Sequence, residues 1–275
     1  AYPVWVVYAA PEFSLVPLHW CFLFAGCVPY RGYFHQKDAE AFVAGLAKKG
    51  DDVFVTGAPA YSTLGWFADP VYSSMLRWGK AELAGMIFHE LAHQELYVEN
   101  APEFNESFAD TVEDVGVGRY FAGSDPGVLK AWHDSAQAAA AIAVAVKEAR
   151  ADLKDIYTSM SSNPKKRAEK RAEFHWLAER YRAVGKRYGI QYDSKWLAGL
   201  NNASLAQIQT YDRWVPAFKR LLRCEKGNLP AFYRTAKRIG ALPPKKRTAR
   251  LEALADPKTE GSRTGKARAS SNLEC

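Results

Sequence analysis

Apolar and polar positions change period several times along the chain, and each change marks an element. Residues 3–8 (PVWVVY), rich in β-branched and aromatic side chains, predict a strand. Residues 18–34 (LHWCFLFAGCVPYRGYF) predict two short strands around Gly26 to Pro29. From Asp38 to Lys49 the apolar positions Ala39, Phe42, Val43 and Leu46 recur at helical spacing, and Gly50 supplies a stop. Val53 to Thr56 returns to strand, Ala58 to Leu64 predicts another, and Pro70 to Leu76 a short helix. Ala81 to Ala92, free of Pro, favours helix, and Pro102 stands at the first turn of a second helix running to about Phe121.

The second half is helical. Lys130 to Ser159 is alanine-rich, Asn163-Pro164 breaks it, and Lys165 to Tyr188 carries alternating charge along its exposed face. The two predict an antiparallel hairpin. A further helix is expected from Leu205 to Arg223, beginning near Ser204 and kinked at Pro216. Pro243 to Cys275 is polar and basic, with a helical turn at Arg247 to Leu254 and disorder beyond Asp256. The domain reading is a catalytic unit over 1–125, a helical subdomain closing the cleft over 126–242 and a basic, disordered tail over 243–275.

Composition narrows this picture little. With 48% apolar and 24% charged residues in 275, the chain is an ordinary globular protein large enough to bury a full core. The net charge of +7 reads as exposed basic helix faces, and no nucleic-acid partner is expected. No stretch reaches the 18 apolar residues of a membrane span. Cys21 and Cys27 are close enough to pair if the chain turns at Gly26, which would point to an oxidising compartment; two small buried residues in a strand pair is the other reading.

The chemistry concentrates between Met86 and Glu113. His89-Glu90-Leu91-Ala92-His93 is an H-E-x-x-H pattern, and on a helix residues i and i+4 share a face, so both imidazoles can hold one metal ion. Two imidazoles suit Zn²⁺, and a catalytic site wants a third protein ligand and one open position. Asn105-Glu106-Ser107-Phe108-Ala109-Asp110 offers Glu106. Glu90, beside the ligand face, can take a proton from a metal-bound water. Asp110, four residues after Glu106, can orient a zinc histidine, and Glu113 at i+7 competes for that role; either also reads as a solvated helix residue. The bland alternative for the whole pattern is two histidines on a buried helix, satisfied by carbonyls.

H-E-x-x-H followed by N-E-x-x-A-D is similar to the gluzincin group of zinc peptidases. More narrowly, FHELAHQ with FNESFAD resembles a bacterial family of zinc aminopeptidases. The resemblance extends to GCVPYRGYF, AYSTLGWFADPV and NNASLAQIQTYDRWVPAF, and so covers most of residues 1–240. It implies an α+β, zincin-like fold with a small N-terminal β-sheet, an active helix and a predominantly helical C-terminal half. It also implies a peptide substrate that adds to an edge strand at Tyr61, Ser62 and Thr63. Tyr211 is the candidate donor to the developing oxyanion, and reads equally as a buried structural tyrosine. Family members usually carry an export or lipid-anchoring signal further upstream, so a longer, lipid-anchored precursor and a periplasmic or extracytoplasmic location are expected. An aminopeptidase should hold the substrate amine with acidic groups, for which Glu12, Asp69 and Glu103 are available. The leading function is zinc-dependent aminopeptidase, one Zn²⁺ per chain; alternatives are a zinc endopeptidase, a metal-stabilised peptide-binding module without catalysis, and a basic adaptor for anionic surfaces.

Overall fold

Val7 is fully buried, and the strand that carries it is the middle one of a three-stranded sheet. The computed structural model describes residues 2–22, 26–58, 78–208 and 212–256. In it β1 (Val4–Ala10) lies antiparallel between two neighbours, β4 (Arg31–Tyr33) and β5 (Asp52–Ala58), with Val7 opposite Arg31 on one side and Val55 on the other. β5 is therefore an edge of this sheet among the described residues. Between β1 and β4, β2 (Trp20–Phe22) and β3 (Gly26–Val28) make a separate two-stranded ladder. Cys21 and Cys27 are direct cross-strand partners there and are joined by a disulfide. Residues 18–34 thus hold three strands where hydropathy suggests two, because Arg31–Tyr33 finds its partner in β1.

The chain forms two compact units, each discontinuous in sequence. One comprises residues 1–79 and 130–209, the other 80–129 and 210–275. The first holds the sheet, α1 (Gln36–Ala47), most of α4 (Pro126–Thr158), α5 (Asn163–Tyr188), α6 (Ser194–Ala198) and α7 (Asn202–Gln207). Ile142, Ala145, Ala149 and Leu153 of α4 share a core with Phe174, Leu177 and Tyr181 of α5, and a four-residue connection joins the two helices. A polar network ties sheet to helices. Lys170 Nζ donates to Asp52 at 2.8 Å and to the Glu12 carbonyl at 2.7 Å. Asp52 also accepts from the Asn202 backbone N–H at 2.9 Å. Asn201 caps α7 in a reciprocal box with Ser204.

The second unit contains α2 (Lys80–Glu95), α3 (Pro102–Phe121), α8 (Val215–Cys224), α9 (Leu229–Gly240) and α10 (Pro244–Ala255). Its core is aromatic: Phe104, Phe108, Phe218 and Phe232 are all buried, with Phe108 stacked on Phe232 at 5.6 Å between centroids. Three expectations change here. The single helix over 205–223 is instead α7, a 3₁₀ turn at Asp212–Trp214 and α8, with Pro216 in the first turn of α8 rather than at a kink. Residues 229–240, unremarked in the hydropathy, form α9, opened by Asn228, whose side chain accepts the Ala231 N–H, and by Pro230 in its first turn. Finally, the helical turn expected at Arg247 to Leu254 is part of a longer helix, residues 244–255, whose Leu251 and Leu254 complete the core. Among the described residues no helix is long and apolar enough to cross a membrane.

Candidate metal centre

α2 and α3 carry the whole H-E-x-x-H…E constellation, and both lie in the second unit. Their approach depends on small residues: Gly85, Ala92 and Ala109 are buried, and a Cβ on Gly116 would fall 2.6 Å from the Phe88 ring. The connection between the helices is clamped by Asn105, itself 2% exposed. Its Oδ1 accepts the Val98 N–H and its Nδ2 donates to the Val98 carbonyl, each at 2.8 Å. The next residue is Glu106. Sequence reasoning passed over Asn105; its only signal was a polar residue on an otherwise apolar helix face, which calls for a buried partner.

Glu106 meets both histidines. His89 Nε2 lies 3.3 Å from Glu106 Oε2, and His93 Nε2 lies 3.7 Å from Glu106 Oε1. On the far side of the His89 ring, Nδ1 donates to Glu113 Oε2 at 3.1 Å and sits 3.3 Å from Asp110 Oδ1. Both candidate orienting carboxylates therefore face the same nitrogen, with Glu113 making the hydrogen bond. His93 Nδ1 is buried without a hydrogen-bond partner among the described residues. Among the described residues neither histidine meets a backbone carbonyl, as a purely structural pair would.

The electrostatics favour positive charge at His89. Burial works against the charged ring, but the Asp110, Glu106 and Glu113 carboxylates against its two nitrogens outweigh it and push its pKa up to about 11. His93 moves the other way, lowered mainly by burial, with the Glu106 charge opposing. Glu106 is held below the usual carboxylate range, first by its hydrogen bond with His89, against the effect of burial.

The residues fit a zinc ion. Donors on a tetrahedral zinc with arms of about 2.0–2.1 Å stand roughly 3.3–3.4 Å apart, close to the two imidazole–carboxylate separations. His89, His93 and Glu106 offer ligand atoms all within 4.8 Å of one another, and two imidazoles with one carboxylate is a donor set of catalytic zinc. His89, Asp110 and Glu113 form a second such trio. That one would require His89 Nδ1 to give up the proton it donates to Glu113, whereas the first trio leaves that hydrogen bond in place.

Glu90 is exposed beside His89, near enough for its charge to act on His93. Tyr97, also passed over in the sequence, is 68% exposed with its ring edge-on to His93 at 6.5 Å between centroids. Glu12 and Glu103, considered for the substrate amine, are engaged elsewhere: Glu12 with Arg167, Glu103 with Arg213 at 3.3 Å. Tyr61, Ser62, Thr63, Asp69 and Tyr211 lie outside the described residues. No match was found among curated proteins or among solved structures. Residues 1–251 match a family model described as "Putative aminopeptidase", and on a match spanning nearly all of the chain the protein belongs to that family.

Proposed function

We propose that this protein is a zinc-dependent aminopeptidase with a zincin-like catalytic centre. The observation that carries the reading is the convergence of His89 Nε2, His93 Nε2 and the Glu106 carboxylate, on a chain whose family is one of aminopeptidases. These three residues would hold the ion. When bound, zinc lowers the pKa of a water to about 7 and polarises the scissile carbonyl. Glu113 and Asp110 hold a proton of His89 on Nδ1, so that Nε2 would be the nitrogen that gives up its proton and turns its lone pair to the ion. Glu90 takes the proton of the attacking water on its carboxylate and returns it to the leaving amine nitrogen. Tyr61, Ser62 and Thr63 keep the substrate-strand role, and Tyr211 the oxyanion role, that the resemblance implies.

Glu90→Gln tests this, since it preserves size but cannot accept a proton at neutral pH. Hydrolysis of an amino-acid anilide should slow by roughly 10²–10⁴-fold in kcat, with KM and bound zinc unchanged. Full kcat in the variant would exclude Glu90 as the base. N-terminally acetylated peptides should resist cleavage; an endopeptidase would cut them.

We further propose an extracytoplasmic location, supported by the Cys21–Cys27 disulfide. Mass spectrometry of protein from its native compartment should find the pair oxidised, and two free thiols there would remove the support.

A further inference from the structure

The first unit contains a cleft of about 570 Å³ that the proposed chemistry leaves unused. One wall is α5, which presents Arg171, His175 and Arg182 along one side. Beneath them lie Phe174, Ala178, Leu197 and Leu200. Two carboxylates also line the space, but both are already matched. Glu12 takes two hydrogen bonds from Arg167, at 2.6 and 2.9 Å, and Asp52 is paired with the buried Lys170 at 2.7 Å. Arg171 has no ion-pair or hydrogen-bond partner among the described residues. Among the described residues Arg182 is met by Glu179 alone, at 2.6 Å, from a position outside the lining; Glu179 also stands 4.0 Å from His175. The lining therefore carries net positive charge above an apolar floor, with Arg171 unpaired among the described residues.

The spacing selects the ligand. Arg171 and Arg182 are eleven residues apart on one helix, which is about 16 Å. Cations spread along a line do not converge on one phosphate, as a lipid headgroup or free phosphate would require. An extended peptide covers the same length in about five residues, and its side chains alternate between two faces. Acidic side chains can then meet the α5 cations while apolar ones lie on the floor. Single-stranded nucleic acid also has spaced charges, but stacks successive bases on several open aromatic faces; this lining holds one phenyl ring, Phe174, whose 7% exposure allows a side-chain contact but no stacked row of bases.

We propose that this cleft is a docking site for an extended acidic peptide segment with apolar residues between its carboxylates. It is separate from the metal-ligand residues and does not rest on the metallopeptidase reading. Its affinity should fall as ionic strength rises through about 0.15 M, where the Debye length is about 8 Å.

The probe is a short fluorescein-labelled peptide alternating Glu and Leu, acetylated at its N-terminus so that an aminopeptidase cannot shorten it. Fluorescence anisotropy with the full chain should give saturable binding, and a Gln/Leu peptide should not bind. Arg171→Glu with Arg182→Glu should weaken binding by about tenfold or more, while Glu179→Gln, which unmasks Arg182, should tighten it about two- to threefold. That gain cannot come from misfolding, and anilide hydrolysis should be unchanged in both variants. Equal affinity in the parent and the charge-reversed variant overturns the proposal. So does tighter binding to single-stranded DNA or to anionic phospholipid vesicles than to the peptide.

Discussion

His89 Nδ1 is held by Glu113 Oε2 at 3.1 Å, from a residue two helical turns beyond Glu106 on α3. In the proposed centre one helix would thus supply both a ligand and the carboxylate that aims another ligand. Removing such an orienting partner typically costs 10–100-fold in metal affinity. Glu113→Ala should weaken zinc binding by about that factor, and Asp110→Ala, which loses a contact but not the hydrogen bond, by less. Competition against a chelator measures both, and an unchanged affinity in Glu113→Ala would reduce it to a solvated helix residue.

Zinc should bind one per chain. His89→Ala with His93→Ala should abolish stoichiometric metal in atomic-emission analysis of dialysed protein. A double variant retaining one tightly held zinc would place the site elsewhere.

Asn105 closes the connection between the ligand helices through both backbone groups of Val98. Asn105→Ala leaves the N–H and carbonyl of half-buried Val98 without their partner, a loss of up to about 1–3 kcal/mol. Thermal stability should fall accordingly. If the clamp also sets where Glu106 stands, zinc affinity measured below the transition should fall too, and an unchanged affinity would leave Asn105 a stability residue alone.

Elements with a strong local signature were legible in the sequence. α2 and α3 follow from helix-favouring runs and Pro102, and the meeting of His89, His93 and Glu106 follows from helical spacing plus one long-range inference. What was not legible depended on partners distant in sequence. β4 is three residues long and exists because β1 pairs with it. α10 shows in its polar, basic sequence only as a helical turn at Arg247 to Leu254; its full length rests on the core around Phe218 and Phe232 that takes Leu251 and Leu254. The division into two units is hidden for the same reason: each is assembled from separated stretches, so no composition shift marks the boundaries.

Acid should weaken the fold through Glu12. Its hydrogen bond from Arg167 holds its pKa below the ordinary 4.5, against a small effect of burial and with the Arg167 and Lys170 charges assisting. A depressed carboxylate pKa stabilises the fold above the unfolded value, and that contribution is lost as pH falls through the folded one. Glu12→Gln should therefore be less stable than the parent near pH 7, with the difference shrinking below 4.5. Urea titrations across this range check it; a gap that persists undiminished below the folded pKa would mean that the ion pair contributes nothing.

Gly116 tests whether the spacing of α2 and α3 sets the metal centre. It lies one turn beyond Glu113, and its missing side chain makes room for the ring of Phe88, the residue before His89. Gly116→Val overfills that contact, which should destabilise the second unit by about 1–3 kcal/mol. It should also weaken zinc binding, because the ring can move only by shifting the backbone that carries His89 or by parting the helices. Phe88→Ala removes the obstacle but leaves a cavity of its own. Combined with Gly116→Val, it should cost less than the two single changes added together, since valine fills part of the space the ring vacates. The coupling should appear in zinc affinity as well as in denaturant midpoint. Strict additivity in both would show that the two residues act independently and that close approach of the helices does not position His89.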